Sequence, residues 1–277
     1  MVNINGNISS SAEAEFLLKN RGFHYGDALF ESMRWVKNKI IFWDDHYHRL
    51  LESMRVLKMK IPTNFTAHFL YNEVQKIIHD SAPKRIKLMV WRNWGGKYTP
   101  DTNSVSYCIF AENLTAENYR IPQWIYRIGV YKEHRINPNL LSTLKTTNKM
   151  IHVLGSIYAR EHNLDNGILL NEKMNVTEAL NGNIIVVSGG KIQTPPLSEG
   201  CLNGVLRKQL FKHNAVITGF KIEEKPLRLD DLFKADELWI TNSVLGIIPV
   251  TDFDGIKYSK ILAERVTAIL NRIATGV

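Results

Sequence analysis

Three kinds of side chain in this sequence could carry out chemistry: an amine, a carboxylate and a guanidinium. Lys145 lies in the segment LKTTN before a predicted helix, and Glu178 lies in NVTEA before the apolar run 184–187. Arg49 lies on the first long predicted helix, and Gly204 begins another. An amine can act as a nucleophile, and a guanidinium or a helix N-terminus can bind an anion. Taken singly, each residue also has a purely structural explanation, so these residues alone leave the chemistry open.

Several standard chemistries are excluded by motif spacing. The Gly-Lys pairs at 96–97 and 190–191 lack the earlier glycine and the following Ser or Thr of a phosphate-binding P-loop. His46 and His48 are two residues apart, which places them on different faces of a helix and disfavours a shared metal ion. The dinucleotide motif GxGxxG after a strand and the hydrolase motif GxSxG are both missing. We therefore predict no metal site.

Composition is typical of a globular protein with one or two domains. The chain has 277 residues, of which 44% are hydrophobic and 22% are charged. Its 35 Lys and Arg against 27 Asp and Glu give a net charge of +8, but no dense basic block occurs. We therefore expect an anionic small-molecule ligand and no nucleic-acid partner.

The expected location follows from the same inventory. No apolar run approaches the ~20 residues that cross a bilayer. The opening MVNINGNISS has neither the basic nor the apolar region of a signal peptide. Two cysteines, Cys108 and Cys201, cannot form a disulfide framework. These features predict a cytoplasmic protein without a membrane partner.

Hydrophobic periodicity predicts a mixed α+β protein without a regular βαβ rhythm. Hairpin turns are expected at 5–6 and 37–38, and Asp44 and Asn64 are expected to cap helices. Strands are predicted at 27–36, 39–43, 85–92, 104–110, 124–131, 167–171, 183–188, 220–225 and 236–241. Helices are predicted at 45–59, 64–79, 149–163, 204–213, 228–234 and 258–274. The polar, proline-ending segment 111–122 is the predicted linker.

Seven segments, in chain order, resemble the class IV (fold-type IV) pyridoxal-phosphate-dependent aminotransferase family, which includes branched-chain aminotransferase, D-amino-acid aminotransferase and 4-amino-4-deoxychorismate lyase. They are GDALFES (26–32), HYHRL (46–50), LKTTN (144–148), NVTEALNGN (175–183), TPPLSEGCLNGVLR (194–207), ADELWITNS (235–243) and IIPV (247–250). The resemblance implies a small N-terminal α/β domain (1–112), a linker (113–122) and a larger, barrel-like C-terminal mixed α/β cofactor domain (123–277). It also implies a homodimer.

The resemblance further implies a cofactor, pyridoxal 5'-phosphate, and residues that bind it. Lys145 matches the lysine that carries the cofactor covalently and moves a substrate proton. Glu178 matches the carboxylate that faces the pyridine nitrogen, and Arg49 matches the arginine that binds the phosphate. The other implied phosphate ligands are Gly204, Val205, Leu206 and Ser243. Leu206 stands where many relatives have threonine, so backbone N–H groups are expected to replace that side-chain contact.

The resemblance leaves the reaction open. The lyase expels pyruvate from aminodeoxychorismate and leaves 4-aminobenzoate for folate synthesis, whereas an aminotransferase passes the amino group to a 2-oxo acid. The pair 203–204, Lys149 after Asn148, and the loop 92–98 are similar to the lyase, but Glu31 is at least as common among aminotransferases. We therefore predict the lyase, with a branched-chain or D-amino-acid aminotransferase as the alternative. The expected binding residues for the carboxylate substrate are Lys97, Arg92, Lys149 and Glu31.

A third hypothesis is a cofactor-binding or regulatory protein that has lost catalysis. It is disfavoured because the chain retains both Lys145 and Glu178.

Overall fold

The computed structural model describes residues 2–4, 7–9, 18–217, 219 and 221–275. Strand β1 (Val2–Ile4) pairs antiparallel with β2 (Asn7–Ser9), which confirms the predicted N-terminal strand pair. The turn predicted at 5–6 lies outside the described residues. In the part of the chain that is described, no helix is long and apolar enough to cross a membrane.

A four-stranded antiparallel sheet in the order β4–β3–β5–β6 forms the N-terminal part of the structure. Its strands are β3 (Ala28–Val36), β4 (Lys39–Ile40), β5 (Lys84–Arg92) and β6 (Val105–Asn113). Its helices are α1 (Arg21–Tyr25), α2 (Trp43–Val56) and α3 (Ala67–Gln75). Buried side chains from β3, β5, α2 and α3 share one core, which includes Met33, Leu50, Leu70, Ile86 and Leu88. This core fixes α2 against β3.

Two predicted helix caps are wrong. Phe42 occupies the N-cap of α2, and Asp44 lies inside the first turn, where its negative charge still faces the positive end of the helix dipole. Thr66 rather than Asn64 caps α3, because its hydroxyl accepts the backbone N–H of Phe69 at 3.1 Å. Capping residues placed close together compete for the same free N–H groups, and the sequence alone does not decide between them.

Two five-stranded sheets form the C-terminal part, in the orders β12–β11–β10–β13–β14 and β16–β15–β7–β8–β9. The strands are β7 (Arg127–Val130), β8 (Asn166–Leu170), β9 (Val176–Ala179), β10 (Asn183–Ser188), β11 (Lys191–Thr194), β12 (Ile222–Glu224), β13 (Glu237–Asn242), β14 (Gly246–Val250), β15 (Asp252–Phe253) and β16 (Ile256–Lys257). The α helices are α4 (Met150–Glu161), α5 (Val205–Lys212), α6 (Asn214–Ile217), α7 (Leu229–Phe233) and α8 (Ile261–Thr275), and short 3-10 helices span Leu140–Thr143 and Leu197–Glu199.

The two C-terminal sheets pack on one another. A single core cluster contains Ile128 and Ile168 from one sheet and Ile184, Leu238 and Val250 from the other. Among the described residues, an isolated bridge between Ala179 and Gly182 links the two sheets, which do not close into one barrel. The mixed α+β fold is confirmed.

The edge of β3 holds the segment that contains Lys145. The backbone N–H of Phe30 donates to the carbonyl oxygen of Lys145 at 2.9 Å, and the N–H of Thr147 donates to that of Ala28 at 3.1 Å. Gly26 ends α1 with φ 63, and a Cβ there would overlap the side-chain oxygen of Asn148. The chain on both sides of β3 is therefore fitted to the residues around position 145.

Arg34 ties the N-terminal sheet to the rest of the chain. It is 5% exposed, and it donates to the carbonyl oxygens of Ala116, Glu117 (3.3 Å), Asn118 (3.1 Å) and Val244 (2.6 Å). Residues 114–126 contain no helix or strand. We propose this stretch as the boundary between the two domains, with Arg34 as its anchor.

Replacing Arg34 by methionine keeps the alkyl stem but removes every donor. We expect it to lower the free energy of unfolding by roughly 2–4 kcal/mol, because buried carbonyl oxygens lose a charged donor. Chemical denaturation followed by circular dichroism measures the change. The matched control, Arg55→Met, alters an exposed arginine on α2. Equal stability of the two variants would contradict the anchoring role.

Candidate active site

A cavity of about 400 Å³ brings together residues of the N-terminal sheet and of both C-terminal sheets. Eight of the eleven predicted site residues line it: Arg49, Lys145, Lys149, Glu178, Gly204, Val205, Leu206 and Ser243. The other three, Glu31, Arg92 and Lys97, do not. A cavity of this size accommodates a cofactor-sized molecule.

The amine of Lys145 lies free in the cavity wall. Its Nζ is 4.5 Å from the centroid of the Phe30 ring and forms no hydrogen bond or ion pair with any described residue. Burial, followed by repulsion from Arg49, lowers the pKa of Lys145 to about 7, although Glu31 and Glu178 oppose the change. A neutral amine is a nucleophile and a base, so this side chain suits both roles near neutral pH.

The carboxylate of Glu178 is buried at the end of β9 and is held by two donors. Its Oε1 is 2.8 Å from Nε2 of His152, and its Oε2 accepts the backbone N–H of Leu202 at 2.8 Å. This contact assigns the ring proton of His152 to Nε2, and Nδ1 of the same ring is buried without a partner. The carboxylate is thereby fixed in orientation toward the cavity.

Sequence reasoning missed His152. The residue lies on α4, the helix that follows the Lys145 segment, and it lines the same cavity. The only available signal was a histidine on the helix that begins a few residues after a reactive lysine. This signal does not by itself identify Glu178 as the partner.

Arg49 and His46 both bind the carboxylate of Glu31. Arg49 donates through Nε to Oε1 at 2.8 Å and through Nη2 to Oε2 at 2.5 Å, while Nδ1 of His46 is 2.6 Å from Oε2. Burial raises the pKa of Glu31, but Arg49 and His46 outweigh it and lower the value to about 2. Burial also lowers the pKa of His46. Glu31 therefore orients Arg49 and is placed away from the cavity surface where a substrate would lie.

The N-terminus of α5 faces the cavity without a side-chain cap. Gly204 is the N-cap residue, and Val205 and Leu206 form the first turn. Their N–H groups have no acceptor within the helix. The hydroxyl of Thr241, also in the cavity wall, is buried without a partner. Uncapped N–H groups at a helix N-terminus can donate to a phosphate or carboxylate.

Lys149 is a second lysine in the wall of the cavity. Its Nζ makes no hydrogen bond or ion pair with the described residues. Burial lowers its pKa, and the charge of Glu178 opposes this. Lys149 also lines a neighbouring cavity of about 540 Å³, which shares His152 and Glu178 with the first. The predicted substrate-binding role of Lys149 is compatible with this place between two cavities.

Arg92 and Lys97 are placed differently. Arg92 lines the neighbouring cavity, but Asp27 (2.9 Å), the carbonyl oxygen of Leu57 (2.7 Å) and Asn103 occupy its donors. Lys97 lies in an exposed loop and lines neither cavity. The sequence places these two cations near the lyase-like glycines, and the structure does not bring them beside Lys145.

Comparisons with known proteins find a matching family model, similar sequences and similar structures. The family model for amino-transferase class IV matches residues 28–253. The chain is 29% identical over 255 residues to a putative branched-chain-amino-acid aminotransferase of Methanocaldococcus jannaschii, covering 91% of this chain and 87% of that protein. It is 27% identical over 283 residues to the aminodeoxychorismate lyase of Bacillus subtilis, covering 97% and 92%.

A solved structure shares the fold. The branched-chain aminotransferase of Thermoproteus uzoniensis, crystallised with norvaline, superimposes with a TM-score of 0.84 at 24% identity, covering 98% of this chain and 93% of that one.

The protonation of Lys145 is directly measurable in the free protein. We expect its amine to lose its proton near pH 7, well below the 10.5 of an ordinary lysine, because burial and Arg49 disfavour the charged form. The ammonium form dominates below this midpoint and the reactive amine above it. Competitive acetylation with peptide mass spectrometry across pH follows the transition.

Glu31→Gln gives a second check on the same amine. The charge of Glu31 favours the ammonium form, so its loss should move the midpoint further down, provided that Arg49 stays in place. A midpoint for Lys145 equal to that of exposed lysines would contradict the assignment.

Proposed function

The chain belongs to the class IV aminotransferase family, and from this premise we propose that it is a 4-amino-4-deoxychorismate lyase. Members of the family are enzymes that use pyridoxal 5'-phosphate. The observation that carries the proposal is the cationic wall of the cavity that contains the Lys145 amine and the buried Glu178 carboxylate. The substrate of this lyase carries two carboxylates, which such a cavity suits.

The residues present fit the cofactor. Lys145 offers the amine that would hold it covalently, and Glu178 offers a fixed carboxylate to a cationic ring nitrogen. The uncapped start of α5 and the unpaired hydroxyl of Thr241 offer donors to a phosphate. When bound, pyridoxal phosphate supplies an electron sink for negative charge at the substrate carbon.

Arg49 would not offer the phosphate the paired N–H donors of its Nε and Nη2 edge. Its Nε and Nη2 edge is engaged by Glu31, and Nη1 donates to the carbonyl oxygen of Asn203 at 2.9 Å. A guanidinium has five N–H groups, so the remaining ones are available to an anion. Arg49 therefore acts through charge and through single hydrogen bonds, and α5 supplies the directional donors.

The protein's own part in the reaction is proton transfer and orientation. The neutral amine of Lys145 can accept the proton from the substrate α carbon and return it to another atom within reach. These functions are common to the lyase and to the aminotransferases, so the substrate-binding wall decides between them.

The charge of that wall favours the lyase. Besides the amine of Lys145, three cationic side chains line the cavity, Arg49, Arg85 and Lys149, and the carboxylate among the lining residues is Glu178. This positive charge attracts the phosphate of the cofactor and the carboxylates of the substrate. The 27% identity to the lyase of Bacillus subtilis also supports the proposal.

An aminotransferase is the second candidate. Phe30, Val244 and Leu245 give the same cavity an apolar side, and a branched-chain side chain needs such contacts. The 29% identity to the putative branched-chain-amino-acid aminotransferase of Methanocaldococcus jannaschii also supports this second candidate.

One assay separates the two reactions. Purified protein loaded with pyridoxal phosphate is given aminodeoxychorismate without a 2-oxo acid. We expect equimolar pyruvate and 4-aminobenzoate, both measured by chromatography. Turnover of leucine or D-alanine that requires 2-oxoglutarate, with no pyruvate from aminodeoxychorismate, would instead establish the aminotransferase. Lys145→Ala is the control for background release.

Glu178→Gln tests the role of the buried carboxylate. The amide keeps the size of the side chain but removes the negative charge that favours a protonated ring nitrogen. We expect turnover to fall by about 100-fold or more, the scale of losing one electrostatic contact in an active site, while cofactor is still bound. Turnover is measured by pyruvate release and cofactor content by absorbance. Near-normal turnover would refute the assignment.

We also propose that the protein is a homodimer. One face of α4 exposes Met150 (68%), Val153 (50%) and Ile157 (38%), and Leu140 and Leu141 are exposed in the preceding 3-10 helix. Apolar residues at this helical spacing form a continuous patch that water solvates poorly. The face belongs to the helix that carries His152, so a partner subunit there would cover the approach to the cavity.

The double variant Met150→Asp, Val153→Asp places two charges on this face. We expect it to be monomeric, because a buried unpaired charge opposes association. Light scattering after size-exclusion chromatography gives the mass. Ile261→Asp alters an apolar residue that is 77% exposed on α8 and is the matched control. A dimer for all three proteins would place the interface elsewhere.

The two cysteines support our proposal of a cytoplasmic location. Cys108 is exposed and Cys201 is buried, and both are free thiols. Burial raises the pKa of Cys201 to about 12, so this thiol stays protonated. Free thiols are usual in a reducing compartment.

A further inference from the structure

We propose that Arg85 forms a binding subsite for a second carboxylate of the substrate, at the wall of the cavity contributed by β5. The proposal deepens the function proposed above and rests on it for the placement of the reacting end of the substrate at Lys145. Under this proposal, the substrate carries two carboxylates that are separated by several bonds. The sequence did not single out Arg85.

Strand register places Arg85 on the cavity side of the N-terminal sheet. Arg85 pairs with Arg34 on β3 and with Glu112 on β6. Residues two apart on a strand share a face, so Arg34 lies on the same face as Ser32 and Phe30, which both line the cavity. Arg85 lines the cavity as well. Its side chain and the Lys145 amine therefore border one continuous space.

The spacing along the sheet sets the length of the ligand. Phe30, whose ring lies beside the Lys145 amine, pairs with Met89. Met89 and Arg85 are four residues apart on β5, or roughly 13 Å along the strand at about 3.3 Å per residue. The long arginine side chain shortens this gap but does not remove it. An extended dicarboxylate can reach both groups, whereas a short monocarboxylate reaches one.

Arg85 keeps its bidentate edge free. Its Nη1 lies 3.4 Å from Oε2 of Glu112, a contact between side chains that are 41% and 56% exposed. Its Nε is buried without a partner, and Nη2 has no hydrogen bond to any residue that the structure describes. Nε and Nη2 together form the edge of a guanidinium that binds both oxygens of a carboxylate.

The other arginines near the cavities are already occupied. Arg34 donates to backbone carbonyl oxygens, Arg49 uses the Nε and Nη2 edge for Glu31, and Arg92 is held by Asp27. An arginine with filled donors contributes charge but little directional recognition. Arg85 combines a place in the cavity wall with a buried unpaired donor, which is the combination that a carboxylate subsite requires.

Equilibrium binding to the holoenzyme tests the subsite without relying on turnover. The probes are 2-oxoglutarate and 2-oxopentanoate, which have the same carbon chain and differ in the second carboxylate. Titration calorimetry gives Kd for both with Arg85→Gln, with Arg85→Lys and with Arg55→Gln, whose site is an exposed residue on α2. Circular dichroism and cofactor absorbance verify that each variant is folded and loaded.

We expect Arg85→Gln to raise the Kd of 2-oxoglutarate by at least about tenfold, since a charged bidentate contact is lost. Binding of 2-oxopentanoate should change by less than about twofold, the scale of a peripheral charge effect. Arg85→Lys should recover part of the loss, because it keeps the charge without the fork. Arg55→Gln should leave both ligands unchanged.

Equal weakening of both ligands by Arg85→Gln, or no effect on either, would overturn the subsite. These results are separate from the lyase assay. If aminodeoxychorismate gives no pyruvate but Arg85→Gln still selectively weakens the dicarboxylate, the subsite stands and the proposed reaction fails. If pyruvate is released and neither ligand distinguishes the variants, the reaction stands and the subsite fails.

Discussion

The buried carboxylate of Glu31 is the contact on which the geometry of the cavity depends. It lies on β3 and binds two residues of α2, Arg49 and His46. Arg49 continues to the carbonyl oxygen of Asn203, next to the start of α5. One carboxylate thus connects the N-terminal sheet to the helix end that faces the cavity. Removing one partner of a buried ion pair of this kind typically costs about 3–5 kcal/mol, because the other charge is left buried and uncompensated.

The family, the α+β fold and most elements could be predicted from the sequence because their signals are local. The strand pair at 28–40 and the helix at 150–161 follow from periodicity and turn residues within a short window. Strand β14 was missed because Pro249 argues against a strand. The structure accommodates this proline because β14 lies at the edge of its sheet. Strand β9 was missed because Thr177 and Glu178 interrupt its apolar residues, although all four of its residues are buried.

The substrate-binding wall could not be predicted in the same way. Arg34, Arg85 and Arg92 are alike in sequence, and what separates them is which acceptors fill their donors in the fold. Arg34 donates to backbone carbonyl oxygens of the segment after β6, and Arg92 donates to the carboxylate of Asp27. Those partners are distant in the chain, and strand register decides their positions. The predicted cofactor residues converge in one cavity because each lies in a segment whose local motif already specifies its surroundings.

Gly26 lines the neighbouring cavity and not the one that contains Lys145, yet the residues around Lys145 constrain it. The residue needs a left-handed backbone, and its missing Cβ leaves room for Asn148, which immediately precedes Lys149. A larger residue at position 26 would press on the segment that carries two of the cavity's cations. The active centre therefore limits what this loop can carry: a side chain at position 26 would need both a strained backbone and a displaced Asn148.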